Sequence, residues 1–393
     1  MSFRNRVEYI LKHNQWIMRC FVGIGSLIVR FVGLFVRVDN SLVLFCSYSG
    51  KFYNDSPRKI YEFMIKDEKC KDFQYVWALR KPGEVAIPGD CKRVKIDTWK
   101  YFITALKAGV WVTNVNIERG LRFKRKKQFY LNTWHGTSVN WVGNAVAGRN
   151  DFKWDYVDAF CYSGEYEKDF IKRDFLIPDE HLLPSGLPRN DDLYEFDEKR
   201  VARIKRSLNI PIAKKVILYA PTWRESTDNG QSCNITPPIH IQKWKKCLED
   251  QFLLVFRTHH NTKEMLGIDF DDFVRDGSEY PDVNDLLIIA DYLITDYSCI
   301  MMDYCILSKP IIEFGYDYDD YSKTRGFYFD LDKEIPSRIL KTEEEVLNYI
   351  VTSDYDEECR KVDQFRRKHI EYGGNATKMC VDTILIGKNM NQK

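Results

Sequence analysis

The sequence predicts an α/β protein with two doubly wound domains, in which helices cover both faces of parallel sheets. Its 393 residues correspond to about two domains, at roughly 100–200 residues per domain. From Ser41 onward, short apolar runs alternate with helical stretches, an order typical of parallel strands joined by helices. The alternation occurs in two successive series, which indicates two domains. The 44 % hydrophobic content excludes global disorder.

The first series is predicted over residues 38–190. Apolar runs predict strands at Ser41–Tyr48, Phe73–Arg80, Arg93–Ile96, Val110–Thr113, Phe129–Asn132, Val157–Tyr162 and Leu182–Leu183. Helical patterns predict helices at Ser56–Asp67, Thr98–Lys107 and Glu165–Phe175. Ser56 is the expected N-cap of the first helix, because Pro57 follows it in the first turn.

The second series is predicted over residues 191–393. The expected strands are Val216–Tyr219, Phe252–Phe256, Tyr292–Thr295 and Pro310–Phe314. The expected helices are Asp197–Leu208, Ile241–Glu249, Asp282–Ile289, Cys299–Leu307, Glu343–Val351, Glu357–Glu371 and Thr377–Ile386. The segment Pro184–Asp192, rich in Pro, Gly and Asn, is the predicted hinge between the two domains.

Composition narrows the partners and the compartment. Lys and Arg total 59 against 57 Asp and Glu, and this formal charge of +2 disfavours a nucleic-acid binder. The eleven cysteines contain no C-x-x-C pair, which favours reduced thiols in a cytosolic protein over a disulfide framework or a zinc site. No P-loop is present, and no G-x-G-x-x-G follows a strand. We therefore expect no cofactor.

Residues 1–37 form a short amphipathic N-terminal segment that is both basic and apolar. Its longest uncharged run, Cys20 to Val29, has ten residues, about half of what a membrane-spanning helix needs. We expect one or two helices lying in an anionic membrane interface, as in a peripheral protein on the cytoplasmic face of the cell membrane; the alternative is a hairpin packed on the protein itself. The expected membrane-binding residues are Arg4, Arg6, Lys12, Trp16, Arg19, Arg30 and Arg37. A second basic run, Arg122–Lys127, is either a solvated loop or a further surface for an anionic partner.

Polar residues follow four predicted strands at the points where those strands end. They occupy Thr133–Thr137, Ala220–Arg224, Arg257–His260 and Asp296–Ser298. Open α/β sheets bind ligands outside the carboxyl ends of their strands, so these residues mark the predicted ligand cleft.

The residue types in this cleft suit a diphosphate. Ser298 is expected to cap a helix whose backbone N–H groups bind phosphate, although a plain helix cap is the alternative. Guanidinium groups match phosphate oxygens, and the candidates are Arg224, Arg257 and Arg325. The acidic loop at 317–320 is either a cation site or a solvated loop, and we expect no metal because basic groups can neutralise a diphosphate alone.

Two histidines are candidates for the chemistry. His135 lies beside Gly136, which allows close backbone approach. A neutral histidine can take a proton from a hydroxyl, but a lone histidine can equally be structural. His259 either contacts a leaving phosphate or caps a strand end.

Six motifs occur in a fixed order between Thr133 and Asp330. They are Trp134–Thr137, Gly186–Asp191, Leu218–Arg224, Arg257–His259, Ile294–Ser298 and Arg325–Asp330. Together they resemble the bacterial CDP-glycerol glycerophosphotransferases, which build wall teichoic acids and related capsule polymers. The resemblance implies a GT-B-type architecture with two Rossmann-like domains and a nucleotide site in the second.

The resemblance also implies roles for individual residues. His135 would deprotonate an acceptor hydroxyl, which would attack the β-phosphorus of CDP-glycerol and expel CMP, while His259 would stabilise the phosphates of the donor. Asp303 would hold the ribose hydroxyls. The implied donor-binding residues are Gly186, Pro188, Arg189, Asn190, Thr222, Arg224, Arg257, Thr295, Asp296, Ser298, Asp303 and Arg325.

The acceptor is less determined than the donor. Ser138–Gly143 replaces the Pro and lysines that many family members carry after the W-H-G-T core. The 40 residues before Ser41 resemble the shorter primase type, which adds the first glycerol phosphate to a lipid-linked disaccharide; a short polymerase or capsule enzyme is the alternative. The sequence leaves three other functions open: a CDP-ribitol transferase, a nucleotide-sugar glycosyltransferase and a non-catalytic membrane-surface scaffold.

Overall fold

Two parallel sheets with helices on both faces form the framework of the protein. The structure is a computed structural model that describes residues 15–222, 238–257, 270–324 and 326–390. Both sheets have the strand order of a doubly wound fold. The predicted fold class is therefore confirmed.

The first sheet has seven parallel strands in the order β3-β2-β1-β4-β5-β6-β7. They are β1 Asp39–Cys46, β2 Gln74–Leu79, β3 Cys91–Lys95, β4 Ala108–Thr113, β5 Phe129–Asn132, β6 Ala159–Cys161 and β7 Leu182–Leu183. Strand β4 is buried throughout and β1 over its last five residues, so side chains on both faces are apolar. This explains why these strands are continuous apolar runs in the sequence.

Four helices accompany this sheet before the hinge. They are α1 Gln15–Gly33, α2 Asp55–Met64, α3 Trp99–Lys107 and α4 Glu165–Phe175. The predicted N-cap of α2 is wrong, because Asn54 occupies that position and Ser56 lies in the first turn. The Ser56 hydroxyl instead accepts a hydrogen bond from the backbone N–H of Arg189 at 3.2 Å.

The second sheet has six parallel strands in the order β10-β9-β8-β11-β12-β13. They are β8 Lys215–Ala220, β9 Phe252–Phe256, β10 Val274–Asp276, β11 Tyr292–Thr295, β12 Ile311–Phe314 and β13 Ile339–Leu340. Strands β10 and β13 have only three and two residues, too few to give a periodic pattern that predicts them.

The helices that follow the hinge cover this second sheet, except for the last one. They are α5 Asp191–Tyr194, α6 Glu198–Ser207, α7 Ile241–Leu248, α8 Val283–Ile289, α9 Ile300–Tyr304, α10 Tyr318–Thr324, α11 Leu331–Glu334, α12 Glu343–Thr352, α13 Tyr355–His369 and α14 Ala376–Met390. A 3₁₀ turn at Cys305–Leu307 follows α9. The single helix predicted over Cys299–Leu307 is therefore divided into two parts.

Helix α14 returns to the first sheet. Its residues Cys380, Val381 and Ile384 share one core with strands of the first sheet. The Sγ atoms of Cys161 on β6 and Cys380 lie 3.4 Å apart. The boundary predicted at residue 190 assigned α14 to the second domain, whereas it packs on the first. We call residues 15–190 with α14 the first unit, and residues 191–375 the second unit.

Candidate active site

The carboxyl ends of both sheets face one cleft between the two units. The strand orders place a crevice between β1 and β4 in the first sheet and between β8 and β11 in the second. Residues that follow three of these strands line the cleft together: Tyr48 after β1, Thr222 after β8 and Ser298 after β11. The cleft has two adjoining lobes of about 790 and about 510 Å³, a size that suits a nucleotide-like ligand.

His135 lies beside the cleft residue Tyr48, with ring centroids 5.8 Å apart. Its Nδ1 is 2.8 Å from the carbonyl oxygen of Asn114, the residue after β4. A carbonyl oxygen only accepts, so Nδ1 carries the hydrogen and Nε2 keeps a lone pair. Burial lowers the pKa of His135 below its usual value, and the Asn114 bond and the charge of Asp55 only partly oppose this. The ring is therefore neutral near pH 7 and able to accept a proton.

The backbone around His135 brings the two units into contact. Gly136 has a φ of +153°, which favours glycine. A Cβ at this position would lie 3.0 Å from Sγ of Cys299 in the second unit. On the other side of His135, the N–H of Trp134 donates to Oδ1 of Asn132 at 2.9 Å. The motif Trp134–Thr137 thus holds the histidine at the boundary between the units.

The loop after β1 completes the surroundings of His135, and it had no predicted role. Tyr48 and Ser49 have φ values of 43° and 53°, a strained conformation that recurs at functional sites. The N–H of Tyr48 donates to Oδ1 of Asn114 at 2.9 Å, and its hydroxyl donates to Oδ2 of Asp55 at 2.8 Å. The signal that identifies this loop in a sequence is its place after the first strand of a doubly wound sheet.

Arg189 forms a buried ionic cluster with Asp55 and Asp303. Its Nη1 donates to Oδ2 of Asp55 at 2.8 Å and to the carbonyl oxygen of His135 at 2.9 Å. Its Nη2 donates to Oδ2 of Asp303 at 2.6 Å. The three side chains are 10, 5 and 4 % exposed. The resemblance implies that Arg189 and Asp303 contact the donor. In the structure they bond to each other.

The two carboxyls of this cluster differ in their electrostatics. Burial raises the pKa of Asp303 above its usual value, despite the charge of Arg189 and the bond from Asn190. Burial also acts to raise the pKa of Asp55, but Arg189 and the N–H of Ser56 outweigh it, so that this pKa lies below its usual value. Asp55 is therefore the more firmly ionised partner of Arg189.

Asn190, another predicted donor residue, belongs to the same cluster. Its Nδ2 donates to Oδ1 of Asp303 at 2.6 Å. Asn284 on α8, which had no predicted role, donates from Nδ2 to the carbonyl oxygen of Arg189 at 2.5 Å. Side chains of the second unit thus hold both the backbone and the side chains of the hinge.

Gly186 and Pro188 lie in the hinge and contact the segment in which the chain crosses between the units a second time. Gly186 has a φ of +73°, and a Cβ there would lie 2.4 Å from the carbonyl oxygen of Tyr372. The carbonyl oxygen of Pro188 accepts a hydrogen bond from the hydroxyl of Thr377 at 3.4 Å. These two predicted donor residues therefore contact the segment that precedes and begins α14.

Three predicted donor residues at the ends of β8 and β11 are bonded to one another or to the sheet. The N–H of Thr222 donates to Oδ1 of Asp296, and its hydroxyl donates to the Asp296 carbonyl oxygen. The buried Thr295 hydroxyl donates to the carbonyl oxygen of Ala220 at 2.8 Å. Of the three, Thr222 lines the cleft.

Ser298 lines the larger lobe, but it is not the N-cap of α9. Cys299 occupies that position, and Oγ of Ser298 accepts the N–H of Ile300 at 3.4 Å. Cys299 itself makes no side-chain cap bond, so the hydroxyl of Ser298 makes the capping contact from one residue earlier.

Arg257 lines both lobes of the cleft. Its Nη1 donates to the carbonyl oxygens of Gly277 at 2.7 Å and Tyr280 at 2.5 Å. Burial lowers the pKa of Arg257, yet a guanidinium stays charged at neutral pH. Carbonyl oxygens thus fix a positive charge at the wall of the cleft.

A second contact between the units involves the Arg325–Asp330 motif. We call residues 139–142 together with residues 326–328 the interdomain clasp. The N–H of Trp141 donates to the carbonyl oxygen of Gly326 at 2.8 Å, and its indole N–H donates to the next carbonyl oxygen at 2.8 Å. The Tyr328 hydroxyl donates to a carboxylate of the first unit at 2.8 Å. The motif thus joins the units at the segment that follows His135.

Several predicted residues lie outside the described part of the chain. They are Arg4, Arg6, Lys12, the side chain of Trp16, Arg224, His259 and Arg325. In the acidic loop, Oδ1 of Asp317 accepts from the Tyr297 hydroxyl at 3.2 Å, and Asp319 pairs with Lys341 at 2.9 Å. Within residues 15–222, 238–257, 270–324 and 326–390, no group of three His, Cys, Asp or Glu side chains is arranged to hold a metal ion.

Helix α1 and the turn that follows it expose apolar side chains, and α3, which contacts α1, exposes two more. We call these side chains the apolar surface; its members, each at least 38 % exposed, are Ile24, Leu27, Ile28, Phe31, Leu34, Phe35, Trp99 and Ile103. Arg19, Arg30 and Arg37 are exposed as well. Among the described residues, none of the helices combines the length and the apolar content that crossing a bilayer requires.

The basic run Arg122–Lys127 divides between two roles. Nη1 of Arg125 donates to the carbonyl oxygens of Gly33 and Val36 at 2.8 and 2.6 Å, which fixes the end of α1. Lys124 pairs with Asp158 at 2.8 Å. The remaining basic side chains of the run are exposed.

The chain matches known proteins over most of its length. Residues 28–386 match the sequence profile of the family described as CDP-Glycerol:Poly(glycerophosphate) glycerophosphotransferase. A teichoic acid glycerol-phosphate transferase of Staphylococcus aureus is 30 % identical over 356 residues, which cover 85 % of this chain and 87 % of that protein. A teichoic acid poly(glycerol phosphate) polymerase of Staphylococcus epidermidis is 33 % identical over 324 residues, which cover 77 % of this chain but only 44 % of that polymerase.

Solved structures agree with these relatives. The wall teichoic acid polymerase TagF is 28 % identical, with a TM-score of 0.83 and complete coverage of both chains. A variant of TagF has also been solved after soaking with CDPG. These matches confirm the resemblance predicted from the six motifs, the GT-B-type fold and the predicted enzyme class.

Proposed function

Because the chain belongs to the CDP-Glycerol:Poly(glycerophosphate) glycerophosphotransferase family, we propose that it transfers glycerol phosphate from CDP-glycerol to a hydroxyl of a lipid-linked saccharide and releases CMP. The product would enter teichoic acid or a related cell-wall polymer. One observation supports this chemistry most directly: a neutral, oriented His135 beside a cleft of nucleotide-like size.

In this proposal His135 is the general base. The bond from Nδ1 to the Asn114 carbonyl oxygen fixes the ring, so Nε2 takes the proton of the acceptor hydroxyl. The acceptor oxygen then forms a bond to the β-phosphorus of the donor. The bond from that phosphorus to the bridging oxygen breaks, and CMP leaves with the electron pair.

The second unit would hold the donor. Arg257 supplies a fixed positive charge, and Ser298 and Thr222 supply polar groups on the same wall. His259, Arg224 and Arg325 are proposed to complete the phosphate contacts. Asp296 and Thr295 support this wall from behind through their bonds to Thr222 and Ala220.

One assay tests the reaction. Purified protein is incubated with a synthetic lipid-linked disaccharide and with CDP-glycerol, CDP-ribitol or a UDP-sugar, and CMP release and product mass are measured. Of the three donors, we expect only CDP-glycerol to yield CMP and a product heavier by one or more glycerol phosphate units. Turnover of the UDP-sugar with no CMP from either CDP-alditol would contradict the proposal.

The role of the base is tested by His135→Ala with His240→Ala as a matched control. His240 is another histidine of the chain, with its side chain 78 % exposed and bonded to Glu343 on α12. Loss of a general base lowers kcat by roughly 10²–10⁴-fold. We expect that loss in His135→Ala with CDP binding retained, and normal turnover in the control. Equal kcat in both variants would remove His135 as the base.

We also propose that the protein attaches to the anionic cytoplasmic face of the cell membrane through the apolar surface. Phe35 and Leu34 are 78 and 77 % exposed, and Arg30 and Arg37 flank them. Exposed apolar side chains beside cations suit an interface of acyl chains and anionic headgroups.

Liposome sedimentation tests this attachment. Burying one Leu or Phe contributes about 1.5–3 kcal/mol, so the double variant Leu34→Glu, Phe35→Glu should bind anionic liposomes about 10²–10⁴-fold more weakly. Val351→Glu is the matched control, because Val351 is 64 % exposed on α12. Equal binding of the two variants would contradict the proposal. Salt should weaken binding of the unmodified protein.

A further inference from the structure

We propose that Arg189 is a positioning residue for His135: it fixes the backbone of the histidine to the second unit through Asp303. The proposal gives the motif Gly186–Asp191 a role other than donor binding. Its kinetic part rests on the proposed function, because it takes His135 as the base.

Arg189 bonds to the backbone of the histidine itself. Nη1 of Arg189 lies 2.9 Å from the carbonyl oxygen of His135 and 2.8 Å from Oδ2 of Asp55. Asp55 in turn accepts the hydroxyl of Tyr48, whose N–H donates to Oδ1 of Asn114. Asn114 supplies the carbonyl oxygen that orients the imidazole. One nitrogen of the guanidinium therefore holds both the backbone of the base and the loop that orients its ring.

Arg189 also bonds across the boundary between the two units. Nη2 of Arg189 lies 2.6 Å from Oδ2 of Asp303, and the other oxygen of Asp303 accepts from Asn190 at 2.6 Å. Since both carboxylate oxygens are bonded, Asp303 cannot rotate freely. A Cβ on Gly136 would lie 3.4 Å from Nη2, so the backbone beside His135 also packs on the guanidinium.

The contacts of this side chain require the planar fork of arginine. Arg189 uses two nitrogens in a rigid plane to reach a backbone carbonyl and two carboxylates at once. Its Nε is buried without a hydrogen-bond partner, which is costly in a protein interior. The side chain is thus placed by its terminal contacts, at the expense of one unsatisfied donor. A lysine would keep the charge but has no planar fork.

The cluster also sets the charge around His135. In the described residues, the titratable groups that face this site are Tyr48, Asp55, Arg189, Cys299 and Asp303. The positive charge of Arg189 lowers the pKa of His135, and the negative charge of Asp55 raises it. Removing the charge of Arg189 should therefore raise the pKa of the histidine. The acidic limb of the kcat/KM profile, where the base becomes protonated, should move to higher pH.

Three variants separate position from charge. Arg189→Lys keeps the charge and loses the fork, so we expect kcat to fall about 10²-fold with an unshifted pH profile, because a 1 Å misplacement costs about that much. Arg189→Met should show the same fall together with the shift to higher pH. Asp55→Asn should shift the limb the other way, to lower pH. KM for CDP-glycerol should stay within about threefold, since donor contacts are not removed.

Arg200 provides the matched control. It also bridges two aspartates, with Nη2 2.8 Å from Asp192 and 2.7 Å from Asp285, but none of its bonds reaches the His135 loop. Arg200→Met should lower stability while leaving kcat per folded molecule and the pH profile unchanged. Active sites are counted by CDP titration, so partial unfolding is not mistaken for slow turnover.

An NMR titration of the His135 ring keeps this test independent of turnover. If wild-type protein releases no CMP, the proposed function fails, but the ring pKa of His135 must still be higher in Arg189→Met than in wild type. If wild-type protein is active and Arg189→Lys has normal kcat per titrated site, the positioning role is wrong. An identical ring pKa in wild type, Arg189→Met and Asp55→Asn would also overturn it.

Discussion

Replacing Gly326 by alanine should detach the interdomain clasp. The backbone of Gly326 passes so close to the indole of Trp141 that a Cβ would lie 2.1–2.3 Å from three ring carbons. Real contacts of this kind are well above 3 Å, and carbon atoms attract optimally at about 3.5–4.0 Å. The shortest of these distances is 2.1 Å. To reach an ordinary carbon–carbon contact, either the indole or residues 326–328 must therefore move by more than about 1 Å.

The magnitude follows from the contacts that such a movement breaks. Overpacking by one methyl group costs about 1–3 kcal/mol. The indole N–H of Trp141 donates to the carbonyl oxygen of Phe327 at 2.8 Å, and losing that bond costs about 1 kcal/mol more. The free energy of opening the clasp should fall by about 2–4 kcal/mol, which corresponds to a roughly 30- to 900-fold larger open population.

Amide hydrogen exchange measures this population directly. The N–H groups of Trp141 and Tyr328 donate across the clasp to Gly326 at 2.8 Å and to Val139 at 3.0 Å. Both amides should exchange roughly 30- to 900-fold faster in Gly326→Ala. Gly83→Ala is the control, because a Cβ on Gly83 meets no atom within 4 Å. Unchanged exchange at both amides in Gly326→Ala would refute the packing argument.

Two further predictions concern pH. Burial lowers the pKa of His135, so the acidic limb of kcat/KM should lie below the usual histidine value of about 6.5; a limb above that value in a pH–rate profile would contradict the buried environment. Burial raises the pKa of Glu167 to about 8, so the folded state holds a proton that the unfolded state releases, and stability should fall as pH rises from about 5 to 9. Glu167→Gln should lose less stability over this range in urea unfolding, and parallel curves for the two proteins would show that Glu167 does not cause the fall.

The strands that position the site were accessible from the sequence, because local composition determines them. A strand such as Phe129–Asn132 is buried on both faces, so its first three residues are apolar or aromatic and only its last residue is polar. The polar residue after such a strand must then lie at the carboxyl edge of the sheet. This is why the sequence placed Thr222 and Ser298 in the ligand cleft, where they occur. Their bonding partners could not be predicted in the same way.

The buried ionic cluster shows why. Arg189 is separated from Asp55 by 134 residues and from Asp303 by 114 residues. No periodicity links such positions, and an arginine near a predicted phosphate site suggests a phosphate ligand just as readily as a carboxylate. The same holds for Ser56, whose neighbours suggested a helix cap but whose hydroxyl bonds to a residue 133 positions away. Side-chain partners distant in sequence are set by the packing of whole units.

The return of α14 to the first unit constrains how the two units can move. In the described residues the chain crosses between them at the hinge and again just before α14. The crossings are bonded to each other: the carboxylate of Asp191 accepts the N–H groups of Ala376 and Thr377 at 2.9 and 2.8 Å. A rotation about an axis through both crossings keeps these bonds, whereas one that separates them leaves the first turn of α14 without its carboxylate cap, at a cost of about 1 kcal/mol. The rotation that keeps the hydrogen bonds of Asp191 to Ala376 and Thr377 therefore has the smaller free-energy cost at this boundary.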